Sequence, residues 1–143
     1  MAKVLIAEDD LFIAAMLEEL VVDGGYEVCG IARTVDEAVA LDERHKPDLA
    51  ILDVRLADGG LGTDVSARLT RNRRPGILYA TGNTAQFGLT KADGEACLCK
   101  PYRPFDVVRA LKIVEEIVAT GEASPPFPEG FRLLGPLSTD DRR

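Results

Sequence analysis

Residues 47–53 read PDLAILD, in which four apolar residues lie between a Pro-Asp pair and a second aspartate, Asp53. A short apolar run without alternation is typical of a strand that is buried on both faces of a parallel sheet. The preceding Pro47 and Asp48 favour turns, so they mark where the strand begins. The stretch therefore predicts a central strand over residues 49–53 that ends in a carboxylate.

Strand-like and helix-like segments alternate on both sides of this stretch. The hydrophobic pattern predicts further strands at 3–7, 26–31, 76–80 and 95–99. Periodicity and capping residues predict helices at 11–23, 34–44 and 63–71, a short helix interrupted by Gly88 at 83–90, and a last helix from Pro104. This alternation predicts an α/β fold with a doubly wound, five-stranded parallel sheet in the flavodoxin-like order 2-1-3-4-5.

The length and composition fit one globular domain followed by a short tail. The chain has 143 residues, of which 46% are hydrophobic and 29% are charged, an ordinary balance for a globular protein. We predict a domain over residues 1–119 and a Pro-rich tail without regular structure over residues 120–143. The tail is unusually apolar, which leaves docking on the domain or on a partner open; its large apolar residues are Phe127, Phe131, Leu133, Leu134 and Leu137.

The charge and the hydropathy pattern limit the expected partners and cellular location. The formal net charge of −7 argues against a nucleic-acid partner. No segment approaches the roughly 20 apolar residues that span a membrane, and the N-terminus lacks the pattern of a signal peptide. The sequence therefore predicts a cytoplasmic protein without a membrane or nucleic-acid partner.

Three cysteines, Cys29, Cys97 and Cys99, are an odd and sparse set. They do not form a disulfide framework. Cys97 and Cys99 supply only half of a tetrahedral thiolate set, and the single histidine, His45, is remote in sequence. We predict structural thiols rather than metal ligands.

Polar residues follow four of the predicted strands at the edge where this fold binds ligands. The first strand ends in Glu8-Asp9-Asp10, the third in Asp53, the fourth in Thr81-Gly82 and the fifth in Lys100-Pro101. Several carboxylates at one edge favour a hard cation such as Mg²⁺, or Mn²⁺ in its place. A carboxylate can accept a phosphoryl group, whose oxygens are stabilised by a cation, an ammonium, a hydroxyl and a backbone N–H. The pattern predicts phosphoryl transfer to Asp53.

Each of these pieces has an ordinary structural explanation when it is taken alone. The acidic run could cap the following helix, Asp53 could be a loop carboxylate, Thr81 could be structural, and Lys100-Pro101 could be a turn. Their occurrence together, at successive strand ends, favours the functional interpretation.

The sequence resembles the response-regulator receiver family, a (βα)5 fold, over residues 1–119. The matching stretches are VLIAEDD at 4–10, PDLAILD at 47–53, Thr81 and Lys100-Pro101. The resemblance implies that Asp53 is the phospho-acceptor and that Asp9 binds Mg²⁺ directly. It implies that Glu8 is a direct or water-mediated ligand of the cation and that the Arg55 carbonyl is a further ligand. It implies that Thr81 supplies the switch hydroxyl and that the Lys100 ammonium pairs with the phosphoryl group. Gly82 and Arg55 would lie beside that group.

The resemblance also implies partners. The donor would be a phosphohistidine on a sensor histidine kinase or on a histidine phosphotransfer protein. The run YATGN at 79–83 is similar to the "FAT-GUY" subgroup of single-domain receivers, with Tyr79 in place of Phe. That subgroup is associated with HWE-type sensor kinases in alphaproteobacteria.

Three features depart from the family pattern. Cys97 stands where an aromatic switch residue is usual, Ala57 replaces a common proline in a loop that is one residue longer, and the fourth helix is poorly specified. Tyr79 or Tyr102 could replace the missing aromatic residue. We expect the switch to work through order and disorder of residues 83–91.

The leading hypothesis is a single-domain response regulator without a DNA-binding output domain, which signals by binding an unknown downstream protein or acts as a phosphate sink. It would not be an enzyme beyond its own Mg²⁺-dependent phosphorylation and dephosphorylation. A degenerate receiver that only binds proteins is one alternative. An aspartyl-nucleophile phosphatase is another, although Arg55 stands where its general acid would be. No nucleotide-binding glycine motif is present.

Overall fold

The computed structural model describes residues 1–69, 74–82 and 88–134, with the backbone alone at Thr81. The strands are β1 (Lys3–Ala7), β2 (Glu27–Ala32), β3 (Leu49–Leu52), β4 (Gly76–Thr81), β5 (Ala96–Cys99) and β6 (Phe131–Leu133). The helices are α1 (Leu11–Asp23), α2 (Val35–His45), α3 (Gly62–Arg68) and α4 (Pro104–Thr120), with one 3₁₀ turn at Ala57–Gly59.

The strands form one sheet in the order β2-β1-β3-β4-β5-β6. Neighbours among the first five strands pair in parallel, so the predicted α/β fold and the order 2-1-3-4-5 are confirmed. Strands β1 and β3 lie side by side, with Ala7 opposite Leu52. The carboxyl ends of the parallel strands therefore meet at one edge of the sheet, where the predicted site residues follow.

The sixth strand corrects the prediction for the tail. Strand β6 pairs antiparallel with β5, so a tail without regular structure is wrong for residues 131–133, and the sheet has six strands rather than five. The physical reason is that β5 would otherwise leave its outer backbone groups unpaired, and edge strands readily accept another strand. Of the tail's apolar residues, Leu134 is buried, with 4% of its surface exposed, whereas Phe127 and Leu133 stay exposed.

Two apolar layers cover the two faces of the sheet. On one face, α2 and α3 contact each other and pack with side chains such as Leu5, Leu52 and Tyr79. On the other face, α1 and α4 contact each other and pack with side chains such as Ile6 and Ile51. Alternate residues of the same strand thus enter opposite layers, as a doubly covered sheet requires.

Helices α1 and α2 lie within one residue of their predicted bounds and α4 begins at the predicted Pro104, whereas α3 ends earlier than predicted. Helix α2 begins after Thr34, whose hydroxyl accepts a hydrogen bond from the Glu37 N–H at 3.1 Å, while Glu37 accepts one from the Arg33 N–H at 2.7 Å. These two bonds satisfy backbone donors at the helix start. Helix α3 ends at Arg68, earlier than the predicted 71, because Leu69 leaves helical geometry with ψ of 88°. Most of the helix predicted at 83–90 lies outside the described residues, and the described residues 88–90 are not helical.

Candidate functional site

Three carboxylates meet at the carboxyl edge of the sheet. One oxygen from each of Glu8, Asp9 and Asp53 lies within 4.8 Å of the other two. The register of the central strands brings them together, because Glu8 and Asp9 follow β1 directly and Asp53 follows β3. The Asp53 N–H donates to the Ala7 carbonyl at 2.9 Å, which fixes the two strand ends relative to each other. The structure thus assembles the three acids that the sequence predicted.

Glu8 is the most buried of these acids, with 2% of its surface exposed. Its pKa is raised from 4.5 to about 7: burial is the largest cause and the Asp53 carboxylate adds to it, while the Asp10 N–H and the Lys100 ammonium act in the opposite direction. The Asp10 N–H donates to Glu8 Oε2 at 3.1 Å. Such a carboxylate is partly protonated near neutral pH, and a bound cation would favour its ionised form.

The donor set fits a hard divalent cation. The cluster offers only carboxylate oxygens. Hard cations such as Mg²⁺ and Mn²⁺ prefer these ligands, whereas softer metals prefer nitrogen or sulfur ligands. Mutual repulsion of the acids and the raised pKa of Glu8 are both relieved by a cation. Within the described residues, this is the one group of three or more potential His, Cys, Asp or Glu ligands, so the cysteines form no comparable site there.

The third acid of the run after β1 has a different role. Asp10 is the N-cap of α1, and its Oδ1 accepts hydrogen bonds from the N–H groups of Phe12 at 2.9 Å and Ile13 at 3.2 Å. The helix-capping interpretation of the acidic run is therefore correct for Asp10, and the cation-binding interpretation of Glu8 and Asp9 stays a prediction. Glu8 and Asp9 join the cluster, and Asp10 caps the helix.

The loop after Asp53 holds that residue in place. The Val54 N–H donates to Asp53 Oδ1 at 2.7 Å, and the Gly62 N–H donates to the Val54 carbonyl at 2.7 Å. A Cβ at Gly62 would lie 2.2 Å from the Asp53 carbonyl oxygen, so only glycine fits this approach. Gly62 is not among the predicted site residues, although the glycine-rich run at 59–62 is the available signal.

The pairing of β4 with β5 sets the positions of Thr81, Gly82 and Lys100. Thr81 lies opposite Cys99 in the parallel register, and Lys100 is the next residue along the chain. The Lys100 charge lowers the pKa of Glu8, so the two residues interact electrostatically. Gly82 is exposed directly after β4. The side chain of Thr81 lies outside the described part, so its predicted hydroxyl role stays a prediction.

Arg55 lies two residues after Asp53 with an exposed side chain, in a loop where it forms an isolated bridge with Leu61. This loop doubles back between Asp53 and α3, and the Leu56 N–H donates to the Gly60 carbonyl at 2.8 Å. The metal-binding role of the Arg55 carbonyl, and its place beside a phosphoryl group, stay predictions.

The two tyrosines that could replace the missing aromatic switch residue differ sharply. Tyr79 is fully buried, its hydroxyl donates to the Asp93 carbonyl at 2.9 Å, and it lies opposite the buried Cys97. Tyr102 is half-buried after Lys100, and burial together with the Glu8 and Asp53 charges raises its pKa to about 12. Tyr79 is therefore part of the core, and Tyr102 is the tyrosine whose environment includes the acid cluster.

The three cysteines are not disulfide-bonded. In the part of the chain that the structure describes, no helix combines the length and the apolar character needed to cross a bilayer.

Fold and site together define a doubly wound α/β protein with a carboxylate cluster at the carboxyl ends of its central strands. The family model described as "Response regulator receiver domain" matches residues 4–112. The chain belongs to the response regulator receiver family, the receiver domains of bacterial two-component signalling.

Individual relatives agree with this assignment. The chain is 34% identical over 141 residues to the transcriptional regulatory protein PdtaR of Mycobacterium tuberculosis, covering 99% of this chain and 65% of PdtaR. A variant of the anti-anti-sigma factor PhyR from Bartonella quintana superposes with a TM-score of 0.70 at 30% identity, covering 85% of this chain and 50% of that chain. The chemotaxis response regulator CheY4 of Vibrio cholerae superposes with a TM-score of 0.71 at 28% identity, covering 80% of this chain and 98% of that chain.

Proposed function

We propose that this receiver accepts a phosphoryl group on Asp53 in a Mg²⁺-dependent reaction, with Mn²⁺ able to replace Mg²⁺. The observation that carries the proposal is the cluster of Glu8, Asp9 and Asp53, whose oxygens lie within 4.8 Å of one another. Such a cluster suits a hard cation. The family assignment supports the same conclusion, since the acids lie in the matched residues 4–112.

The residues divide the chemistry among them. When bound, the cation neutralises phosphoryl oxygens and the surrounding carboxylates. Asp53 supplies the nucleophilic oxygen, and Glu8, Asp9 and the Arg55 carbonyl complete the cation site. Lys100 pairs with a phosphoryl oxygen through its ammonium, while the Thr81 hydroxyl, the Gly82 N–H and Arg55 lie beside the group; phosphoryl transfer depends mainly on such positioning and neutralisation.

The transfer step balances in atoms and charge. An oxygen of the Asp53 carboxylate attacks the phosphorus of a donor phosphohistidine, so that an O–P bond forms as the N–P bond breaks. The donor nitrogen leaves with the electron pair of that bond, and the imidazole takes up a proton from solvent. Later attack by water returns the Asp53 carboxylate and inorganic phosphate. The chain therefore turns over only its own phosphoryl group and is not an enzyme towards a separate substrate.

The donor would be a sensor histidine kinase, of the HWE type if the subgroup resemblance of residues 79–83 holds, or a histidine phosphotransfer protein. We place the protein in the cytoplasm, where such donors present their phosphohistidines. Neither a membrane nor a nucleic acid is proposed as a partner, since the net charge is −7.

Signalling would proceed through contact with a downstream protein, or the phosphoryl group would be discarded and the receiver would act as a phosphate sink. PhyR from Bartonella quintana is an anti-anti-sigma factor, which gives one precedent for output by protein contact. The match covers 98% of the CheY4 chain. CheY4 is therefore a precedent for a response regulator that is about as long as a receiver domain.

Treatment with acetyl phosphate and Mg²⁺, followed by intact mass measurement, tests the proposal. Wild-type protein should gain one phosphoryl group, Asp53→Asn should gain none, and chelation of Mg²⁺ should abolish the gain. Asp58→Asn is the matched control, because Asp58 is an exposed aspartate of the same loop with φ of 63°, a conformation that asparagine tolerates.

Other outcomes of that experiment identify the alternatives. A wild-type chain that binds no Mg²⁺ and gains no phosphoryl group would be a degenerate receiver that only binds proteins. Release of phosphate from added phosphomonoesters with many turnovers would indicate an aspartyl phosphatase, although the position of its general acid is held by Arg55.

A further inference from the structure

The C-terminal segment forms specific contacts along the outer edge of the sheet. Strand β6 pairs with β5 in the register Ala96↔Leu133, Cys97↔Arg132 and Leu98↔Phe131. The Leu134 N–H extends the pairing by donating to the Glu95 carbonyl at 3.0 Å. The segment is therefore a hydrogen-bonded strand of the sheet.

Side-chain contacts hold the connection between α4 and β6. Arg109 of α4 donates to the carbonyls of Ser124 at 3.2 Å and Pro126 at 3.0 Å. The rings of Phe127 and Phe131 lie 5.3 Å apart, and Phe131 packs against the apolar layer under α1 and α4. These contacts lead the chain back from the end of α4 to the carboxyl end of β5.

The start of β6 contacts the residue that precedes Lys100. The Cys99 N–H donates to the Gly130 carbonyl at 3.0 Å. Gly130 has φ of 83°, and a Cβ at this position would lie 3.0 Å from the Cys99 carbonyl oxygen, so two features favour glycine here. Glu129 lines a groove together with Pro101, Tyr102 and Asp106, so the tail also borders the residues that follow Lys100.

We propose that β6 is a positioning element for Lys100, acting through the hydrogen bond between Gly130 and Cys99. This inference rests on the proposed function, in which Lys100 pairs with the phosphoryl group on Asp53. Strand β5 has four residues, and Lys100 follows its last residue, where a strand end frays unless both edges are held. Pairing with β4 holds one edge of Cys99, and Gly130 holds the other.

The expected consequence concerns rate rather than metal binding. Glu8, Asp9 and Asp53 are fixed by β1 and β3, which β6 does not contact in the pairing of the sheet. Loss of β6 should therefore misplace the Lys100 ammonium and leave the carboxylate cluster intact. Since the ammonium repels a cation in that cluster, its displacement leaves the affinity for Mg²⁺ unchanged or raises it.

The test compares Arg132→Pro with Arg132→Ala in the full chain. Both remove the same exposed side chain, but proline alone removes the backbone N–H opposite Cys97. Arg132→Pro should expose the Cys99 amide to hydrogen exchange, slow phosphorylation by acetyl phosphate at saturating Mg²⁺ by about tenfold or more, and not weaken Mg²⁺ binding. Arg132→Ala should match wild type in all three measurements.

A second variant keeps the test decisive if Arg132→Pro fails to fold. Gly130→Ala places a Cβ against the Cys99 carbonyl in a conformation with positive φ, so it should give the same pattern with a smaller loss of rate. A wild-type rate despite an exposed Cys99 amide would overturn the inference. So would a parallel loss of rate and Mg²⁺ affinity, which would show that β6 only stabilises the fold.

Failure of the proposed function gives a different result. If the wild-type chain gains no phosphoryl group from the donor, the proposed function fails, and the positioning role falls with it. If the wild-type chain is phosphorylated and Arg132→Pro with an exposed Cys99 amide is phosphorylated equally fast, only the positioning role is overturned.

Discussion

Glu8 and Asp53 are both carboxylates at strand ends, but their surroundings give them different properties. Glu8 is enclosed, and burial is the largest cause of its raised pKa of about 7. Asp53 is half-buried and bonded to the N–H of Val54. The buried acid is thus the one that a cation would keep ionised near neutral pH, and the proposed phospho-acceptor is the more accessible of the two acids.

The titration of Glu8 predicts how stability depends on pH in metal-free protein. Its pKa rises from 4.5 to about 7 on folding, so the folded state binds more protons between these values. The free energy of unfolding should therefore fall as pH rises from about 4.5 to 7, and Mg²⁺ should bind more tightly over the same interval because binding displaces the proton. Urea denaturation in chelator and calorimetric titration with Mg²⁺ measure the two effects.

Glu8→Gln is the control for this pH dependence. It keeps the size of the side chain and removes the titration, so this variant should lose most of the fall in stability between pH 4.5 and 7. An unchanged pH dependence in Glu8→Gln would show that another group is responsible.

Gly62 gives a second prediction at the residue scale. A methyl group in Gly62→Ala would enter the space of the Asp53 carbonyl at 2.2 Å, and relief requires movement of the Asp53 loop. We expect a loss of about 1–3 kcal/mol in unfolding free energy together with weaker Mg²⁺ binding, measured by urea denaturation and calorimetry.

The matched control for Gly62→Ala is Gly59→Asn in the same loop. Gly59 has φ of 77° and open space around its Cβ position, and asparagine tolerates that conformation. Gly59→Asn should therefore leave Mg²⁺ binding unchanged. Equal Mg²⁺ affinities in wild type and Gly62→Ala would contradict a role for Gly62 in holding Asp53.

At the scale of the element, the start of α1 separates an acid that caps the helix from an acid that joins the carboxylate cluster. Asp10 caps the helix through its bonds to the Phe12 and Ile13 N–H groups, and the adjacent Asp9 belongs to the carboxylate cluster. The sequence allows both roles for the run as a whole. It could not divide them among the residues, because the division depends on where the strand stops and the first helical N–H groups point.

Substitutions at these two neighbouring acids should affect different properties, stability at Asp10 and Mg²⁺ binding at Asp9. Asp10→Ala should cost about 1 kcal/mol of stability through loss of the cap and leave Mg²⁺ binding unchanged, whereas Asp10→Ser should keep most of the stability. Asp9→Ala should weaken Mg²⁺ binding by about tenfold or more, because one of three clustered charges is lost. Thermal denaturation and Mg²⁺ titration give both readouts, and a strong loss of Mg²⁺ affinity in Asp10→Ala would contradict the division.

At the scale of the whole molecule, the parallel sheet and the acid cluster could be predicted because their signals are local. The apolar run before Asp53 identifies a central strand, and strand alternation sets the order that brings Glu8 and Asp9 to the same edge. Strand β6 could not be predicted in this way. Its three residues follow a proline-rich stretch, and only the open edge of β5, a distant part of the chain, makes them a strand.

The site was predictable to a similar extent and for similar reasons. Asp53 and Lys100 are signalled by strand ends, whereas the fit of Gly62 against the Asp53 carbonyl and the contact of Gly130 with Cys99 depend on backbone approach. In the sequence, such an approach is marked only by a glycine. Because glycine is also common in ordinary turns, its presence does not identify the approach.

The position of the phosphoryl group tests the central claim most directly. After treatment with acetyl phosphate and Mg²⁺, the chain would be quenched, digested and mapped by mass spectrometry. We predict one phosphoryl group, on the peptide that carries Asp53, and none in the presence of a chelator. A phosphoryl group on another residue, an incorporation that does not need a divalent cation, or no incorporation at all would contradict the account.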